Sequence, residues 1–154
     1  MKSFLNAFLV FLILNFSALG IGSWLMNNGP QSEWYTNLNK APWTPEGWVF
    51  GAAWFTVMLC FAFYMAFLYK QQWTSRKAII YGVQLVLNIS WNYLFFNQHL
   101  ITIGLINLIL LTSIVYLILI TYWKDLKSKS FFIAPYALWL LIAISLNLYI
   151  YIYN

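Results

Sequence analysis

Five long apolar runs dominate this chain, at residues 4–26, 47–69, 78–96, 101–123 and 131–153, and none of them contains Asp, Glu, Lys, Arg or His. A helix needs about 20 such residues to cross the hydrocarbon core of a bilayer. Lipid offers no partners to backbone N–H and C=O groups, so each run must satisfy its own backbone as a helix. A membrane barrel would show alternating segments of about 10 residues instead. Composition points the same way. Of 154 residues, 63% are hydrophobic, and the charged set is 8 Lys+Arg and 3 Asp+Glu. A soluble domain carries about 25% charged residues, so these charges cannot cover a water-facing surface. Apolar content this high also excludes disorder. A disulfide scaffold is excluded because Cys60 is the only cysteine. The expected fold is an all-α membrane protein, a single domain over residues 1–154 built as a five-transmembrane-helix bundle.

Breakers and charges fall between the runs. The first connection is long and holds Gly29, Pro30, Pro42 and Pro45, and the others centre on 70–77, 97–100 and 124–130. The first run could be read as a signal peptide with Ala18-Leu19-Gly20 as its cleavage site. Its length exceeds the roughly 7–15 residues of a signal-peptide core, so it is expected to stay as a span. Lys2, Lys70, Arg76, Lys77, Lys124, Lys127 and Lys129 fall on one side of the membrane and Lys40 alone on the other. Basic residues favour the cytoplasmic side. The N-terminus is therefore expected inside and the C-terminus outside. The net charge of +5 is then a topology signal, and no nucleic-acid partner is expected.

With charge absent from the runs, amides mark the candidate interior. Gln84, Asn88 and Asn92 follow at steps of four and share one helix face, flanked by Trp91 and Phe95. Trp139, Ala143 and Asn147 repeat the step in the last run. Asn88 is balanced between joining helices and lining a ligand cavity. Asn15, Asn107 and Asn147 are expected to join helices, at about 0.6 kcal/mol per interhelical hydrogen bond. Among 9 Trp, 11 Tyr and 13 Phe, Trp73, Trp123, Tyr151 and Tyr153 sit at run ends, where amphipathic rings anchor at headgroup depth. Trp54, Trp91 and Trp139 lie within runs, where an indole needs a partner and a flat packing surface. The first connection carries Trp34, Tyr35 and Trp43 between its prolines. It is expected to fold back over the bundle mouth, because long ordered loops are often lids.

Three motifs in order resemble the translocator protein family, also known as TspO/MBR, tryptophan-rich sensory proteins or peripheral-type benzodiazepine receptors. They are Trp34-Tyr35…Leu38…Lys40…Pro42-Trp43-Thr44-Pro45…Trp48…Trp54, then Gln84-Leu85…Leu87-Asn88…Trp91…Phe95-Phe96, then Pro135-Tyr136…Trp139…Ala143…Leu146-Asn147. The chain departs from the usual Lys-Pro-x-Trp-x-Pro-Pro of the family, reading Lys40-Ala41-Pro42-Trp43-Thr44-Pro45-Glu46. The resemblance implies a five-helix bundle, commonly a homodimer, in a bacterial membrane, with a ligand cavity closed by the first loop. It implies binding of porphyrins such as protoporphyrin IX and of related hydrophobic ligands. Carried over position by position, the pocket residues are Tyr35, Trp43, Trp54, Asn88, Trp91, Asn92 and Trp139. Light-dependent porphyrin breakdown in some bacterial members would make Trp54 and Trp139 the reactive pair. The sterol motif of the family is not matched at the C-terminus, which ends Tyr151-Ile152-Tyr153-Asn154 without a basic residue. A loose version occurs at Leu59…Tyr64…Lys70, a pattern that aromatic helices often match.

Binding, enzymatic breakdown and transport are the three functional classes to weigh. Ordinary catalysis lacks parts. His99, the only histidine, falls in the short third connection, and no run holds a carboxylate or lysine for acid–base work. Cys60 has no basic neighbour to activate it, and one His with one Cys cannot build a metal site. No cofactor is expected. Transporters usually show internal repeats and intramembrane charges, and neither is present. Binding ranks first, photochemical breakdown second.

Overall fold

The computed structural model describes residues 3–154, which are mostly helical with no strand among them. Five long helices, α1 (Phe4–Leu25), α3 (Gly47–Lys70), α4 (Ser75–Asn92), α5 (Ile101–Leu126) and α6 (Ala134–Tyr153), are joined by turns and by the short α2 (Glu33–Thr36). Four helical stretches are long and apolar enough to cross a membrane, and the last of them, Ile101–Tyr153, is 53 residues long. It is not one rod. Its φ of 51° at Lys127 breaks it, a 3₁₀ turn follows, and α6 packs back along α5. The fourth and fifth expected spans are thus a single hairpin.

Local chemistry sets the helix ends. Ser3 Oγ accepts from Asn6 N at 3.5 Å to cap α1, the usual work of a serine at that position. Thr74 does the same for α4, accepting from Lys77 N at 3.4 Å. This explains why α4 begins at Ser75 and not at residue 78, where hydropathy alone starts it. Arg76 and Lys77 join its first turn, and Lys77 Nζ donates to the Gln72 carbonyl at 2.7 Å. Residues 131–133 belong to the 3₁₀ turn rather than to the last span, with Pro135 in the first turn of α6, where its missing N–H costs nothing.

Each long helix packs chiefly on two others, in the closed order α1, α4, α5, α6, α3 and back to α1. The ring encloses a core in which Met58, Phe61, Tyr64, Leu108, Tyr136 and Leu140 are almost wholly buried. Outside, Ile13, Ile79, Val86, Ile106, Ile120 and Leu138 are exposed. Apolar surface this extensive on a lone chain marks contact with lipid. The molecule is therefore an integral membrane protein. Trp34 stacks on His99 with ring centroids 4.1 Å apart, and Asn39 N donates to Asn154 Oδ1 at 2.9 Å. The first connection, the third connection and the C-terminus therefore share one end. Lys70, Arg76, Lys77, Lys124, Lys127 and Lys129 lie toward the other, where Phe131 meets Trp123. Lys2 falls outside the described residues.

Candidate ligand pocket

Interhelical amides build the floor of the site. Asn15 Nδ2 donates to the Met58 carbonyl at 3.1 Å and Asn15 Oδ1 accepts from the Tyr81 hydroxyl at 2.8 Å, tying α1 to α3 and α4. Asn107 Nδ2 donates to the Leu87 carbonyl at 2.8 Å, tying α5 to α4. Gln84 Nε2 and Asn88 Nδ2 both donate to the Tyr136 hydroxyl oxygen, at 2.6 and 2.8 Å. This locks one face of α4 to α6. Asn147 departs from its expected role, since its Nδ2 donates within its own helix to Ala143 at 3.1 Å.

Above this floor lies a cavity of about 470 Å³, within the roughly 300–1,000 Å³ usual for small-molecule sites. Phe50 and Trp54 of α3, Asn88, Trp91 and Asn92 of α4, and Leu19 and Ser23 of α1 line it. Pro30, Tyr35, Lys40, Thr44 and Pro45 come from the first connection. A second space of about 30 Å³ shares Tyr35, Phe50, Trp54, Trp91 and Phe96 with it and adds Trp139 and Asn147. The two meet where α4 widens into a π-helical turn over Tyr93–Asn97. Such turns often mark functional sites. Here it places Phe95 and Phe96 edge to face, with centroids 5.0 Å apart, against Trp91 and Tyr35.

Of the seven expected pocket residues, Tyr35, Trp54, Asn88, Trp91 and Asn92 surround the larger cavity. Trp139 lines only the smaller one and an outer groove against α3. Trp43 lines neither. It is 56% exposed, donates from Nε1 to Ser145 Oγ at 3.1 Å and meets Tyr149 edge to face. Pro42 and Pro45 stiffen the backbone around it, and its indole lies along α6 and away from the cavity. Asn88 takes both of its weighed roles at once, joining α4 to Tyr136 while lining the cavity. Asn92 rests over Gly22 of α1, where an added Cβ would stand 2.6 Å from Asn92 Nδ2.

Lys40 lines the cavity, but its ammonium is engaged. Nζ donates to the carbonyls of Tyr35, Thr36 and Leu38 at 3.0, 2.9 and 3.4 Å, matching the three donors a lysine has. It closes the C-terminal end of α2. Burial pushes the nearby Tyr35 phenol above its ordinary pKa of 10.0, so at neutral pH that group is a hydroxyl. His99 occupies an exposed turn with φ 56°. Tyr64, the centre of the loose sterol-like pattern, is 0% exposed and donates to the Ile118 carbonyl at 3.3 Å, so that pattern is not presented to lipid.

Two further contributors are marked in the sequence by their spacing. Phe50 precedes Trp54 by four residues, and Tyr136 precedes Trp139 by three. Both spacings put the pair on one helix face.

Comparison with known proteins gives the family. Residues 9–152 match the TspO/MBR family. The chain is 30% identical over 148 residues to the tryptophan-rich protein TspO of Archaeoglobus fulgidus, covering 95% of this chain and 96% of that one. It is 26% identical over 134 residues to the protein of the same name from Chlorobaculum tepidum, covering 84% and 85%. The protein CrtK of Rhodobacter capsulatus is 27% identical over 118 residues, 74% of each chain. The resemblance carried by the three motifs is borne out, and the chain belongs to the TspO/MBR family.

Proposed function

We propose that the protein is a membrane receptor or sensor that binds a planar, porphyrin-like ligand in the cavity of about 470 Å³. The observation that carries this reading is the lining itself. Trp54 and Phe50 from α3 and Trp91 and Phe96 from the α4 side offer flat apolar surface, while Asn88, Asn92 and Tyr35 offer polar atoms. Few convergent polar groups in an aromatic pocket are the usual pattern of a small-molecule site. The first connection, which contributes five lining residues, acts in this reading as the lid. Lys40 donates to three carbonyls of its own loop and would have to give one up to pair with a carboxylate of the ligand.

Titrating the purified protein with protoporphyrin IX in the dark, read by tryptophan fluorescence, tests the reading. Stacking on an indole is worth about 0.5–1.5 kcal/mol beyond area burial, or roughly two- to tenfold in affinity. Trp54→Phe is expected to weaken binding by that factor and Trp139→Phe by less, because only Trp54 lines the larger cavity. Trp73→Phe, packed on Phe11 and Tyr69 outside the cavity, should bind like the parent. Equal effects at all three positions would move the pocket elsewhere.

Light-driven breakdown is the second reading. It is favoured by Trp54, which lines both spaces and stands edge to face with Tyr136 at 6.1 Å. Loss of porphyrin absorbance in light but not in darkness, reduced in Trp54→Phe and Trp139→Phe, separates it from binding alone.

Orientation and assembly follow as parts of the proposal. Six of the seven described basic residues gather at one end, and the positive-inside rule supports reading that end as cytoplasmic. After Cys60→Ser, a membrane-impermeant thiol reagent should label Gln98→Cys from outside and spare Ser128→Cys. The reverse labelling would invert the topology. A homodimer is proposed through the face of Ala78 and Gly82. An added Cβ at Gly82 meets no packing neighbour within 4 Å, so Gly82→Leu should weaken dimers in mild detergent while the monomer stays folded.

A further inference from the structure

The first connection is fastened to the C-terminal turns of α6 by side-chain hydrogen bonds. Asn39 N donates to Asn154 Oδ1 at 2.9 Å, and Asn154 Nδ2 donates back to the Asn39 carbonyl at 3.1 Å. One side-chain amide thus satisfies both backbone groups of Asn39. In return, Asn39 Nδ2 donates to the Tyr153 carbonyl at 3.1 Å. Asn154 Nδ2 also donates to the Ile150 carbonyl at 2.9 Å, which orients the amide on its own helix. Carbonyls in the last turn of a helix have no partner within it, so Asn39 supplies one that α6 lacks. Further along, Trp43 Nε1 donates to Ser145 Oγ at 3.1 Å. All the bonds between the connection and α6 are exposed.

The opposite side of the connection is held differently. Trp34 meets Phe95 at 5.5 Å, Tyr35 meets Phe96 at 5.2 Å, and Trp34 stacks on His99. That side rests on packed rings. The α6 side rests on neutral hydrogen bonds that water can replace, each worth only about two- to tenfold in an equilibrium. The two fastenings are therefore unequal, and the polar one is the easier to undo. We propose that Asn154 is a positioning residue for the larger cavity: its clasp on Asn39 latches the first connection across the mouth, and release of this latch opens the cavity to water. Lys40 ties the carbonyls of Tyr35, Thr36 and Leu38 together, so Asn39 and Lys40 move as one piece. Lys40, Thr44 and Pro45 line the cavity, and Pro42 and Pro45 restrict the backbone between them. Letting go of Asn39 therefore carries part of the cavity wall with it. This inference rests on reading the first connection as a lid and not on which ligand the cavity takes.

Cysteine accessibility in lipid nanodiscs tests the latch without porphyrin. Leu19→Cys, made together with Cys60→Ser, places a thiol on the α1 wall of the cavity. A water-soluble cationic thiosulfonate, kept out of the bilayer by its charge, then has to pass the first connection to reach it. Asn39→Ala removes the one bond to the Tyr153 carbonyl and should speed labelling by about twofold or more. Asn154→Ala removes both bonds to the Asn39 backbone and should have the larger effect, about fourfold or more. Labelling of Gln98→Cys, outside the cavity, should not change, and neither should the midpoint of unfolding. Equal labelling of Leu19→Cys with and without Asn154 would overturn the latch, as would a larger effect from Asn39→Ala. A lowered midpoint in Asn154→Ala would overturn it too, by making faster labelling a sign of general loosening. Labelling absent from every variant would overturn release toward water as the way in. The pocket reading fails separately. Porphyrin that does not bind while labelling follows the expected order removes the ligand and leaves the latch. Porphyrin that binds while labelling ignores Asn154 removes the latch and leaves the pocket.

Discussion

Tyr136→Ala is expected to cost about 3–5 kcal/mol of stability, the range for truncating a large buried aromatic, read as a lower midpoint of unfolding in mixed micelles. The residue is wholly buried. Its ring meets Phe61 edge to face at 5.2 Å and Trp54 at 6.1 Å, so removal opens space between α3, α4 and α6. Its hydroxyl also accepts from Gln84 and Asn88. Tyr136→Phe keeps the ring and isolates that second contribution. Interhelical hydrogen bonds in membrane proteins average about 0.6 kcal/mol each, while a buried amide left unpaired costs roughly 1–3 kcal/mol. Gln84 and Asn88 are 0% and 4% exposed, so neither finds another partner easily, and a loss of about 1–3 kcal/mol is expected. Phe at 136 should also loosen Asn88 at the cavity wall and, if the proposed pocket reading holds, weaken porphyrin binding. A Phe variant as costly as the Ala variant would mean that the ring contributes little, against the packing described.

The spans were legible because the membrane removes alternatives: a charge-free run of 20 or more residues has only one cheap backbone. What hydropathy could not read were the places where a side chain or a turn overrides it. Thr74 starts α4 early by capping it, which brings two cations into a helix that a hydropathy window excludes. Lys124 and Asp125 extend α5 past its apolar run for the same reason, since helix formation tolerates charge at a water-facing end. The amide stripe at 84, 88 and 92 showed which face of α4 points inward, because the period of a helix is fixed. It did not show that Gln84 and Asn88 converge on Tyr136, since a helical period reports a face and not the partner across from it. Asn147 shows the limit from the other side. Its spacing from Trp139 places both on one face, yet its amide spends its donor within α6 and leaves its oxygen without a partner. Trp43 stands outside both spaces because a motif fixes order along the chain and not the direction a side chain takes.

The π-helical turn was the feature least visible in sequence, and Gly104 is the residue that makes room for it. An added Cβ at Gly104 would stand 3.2 Å from Phe95 Cβ, 3.3 Å from Cδ2 and 3.6 Å from Cα. Phe95 cannot yield easily. It is 1% exposed and its ring contacts those of Trp34, Tyr35, Trp91 and Phe96. Alanine at 104 would gain about 0.8–1.0 kcal/mol of helix propensity against an overpacking cost of about 1–3 kcal/mol. A small net loss is therefore expected. Leucine adds three more carbons at the same contact, and Gly104→Leu is expected to lose at least about 3 kcal/mol. Because Trp91 stacks on Phe95 at 5.6 Å with planes 9° apart, the same push should shift tryptophan emission and contract the inner space that both residues line. Gly82→Leu is the matched control. It adds the same side chain to a neighbouring helix where a Cβ meets nothing within 4 Å, so monomer stability should hold or rise. If the two leucine variants unfold at the same midpoint, the close approach of α5 to the π turn does not govern the packing there. The aromatic wall of the pocket would then have to be held from the first connection alone, through Trp34 and Tyr35.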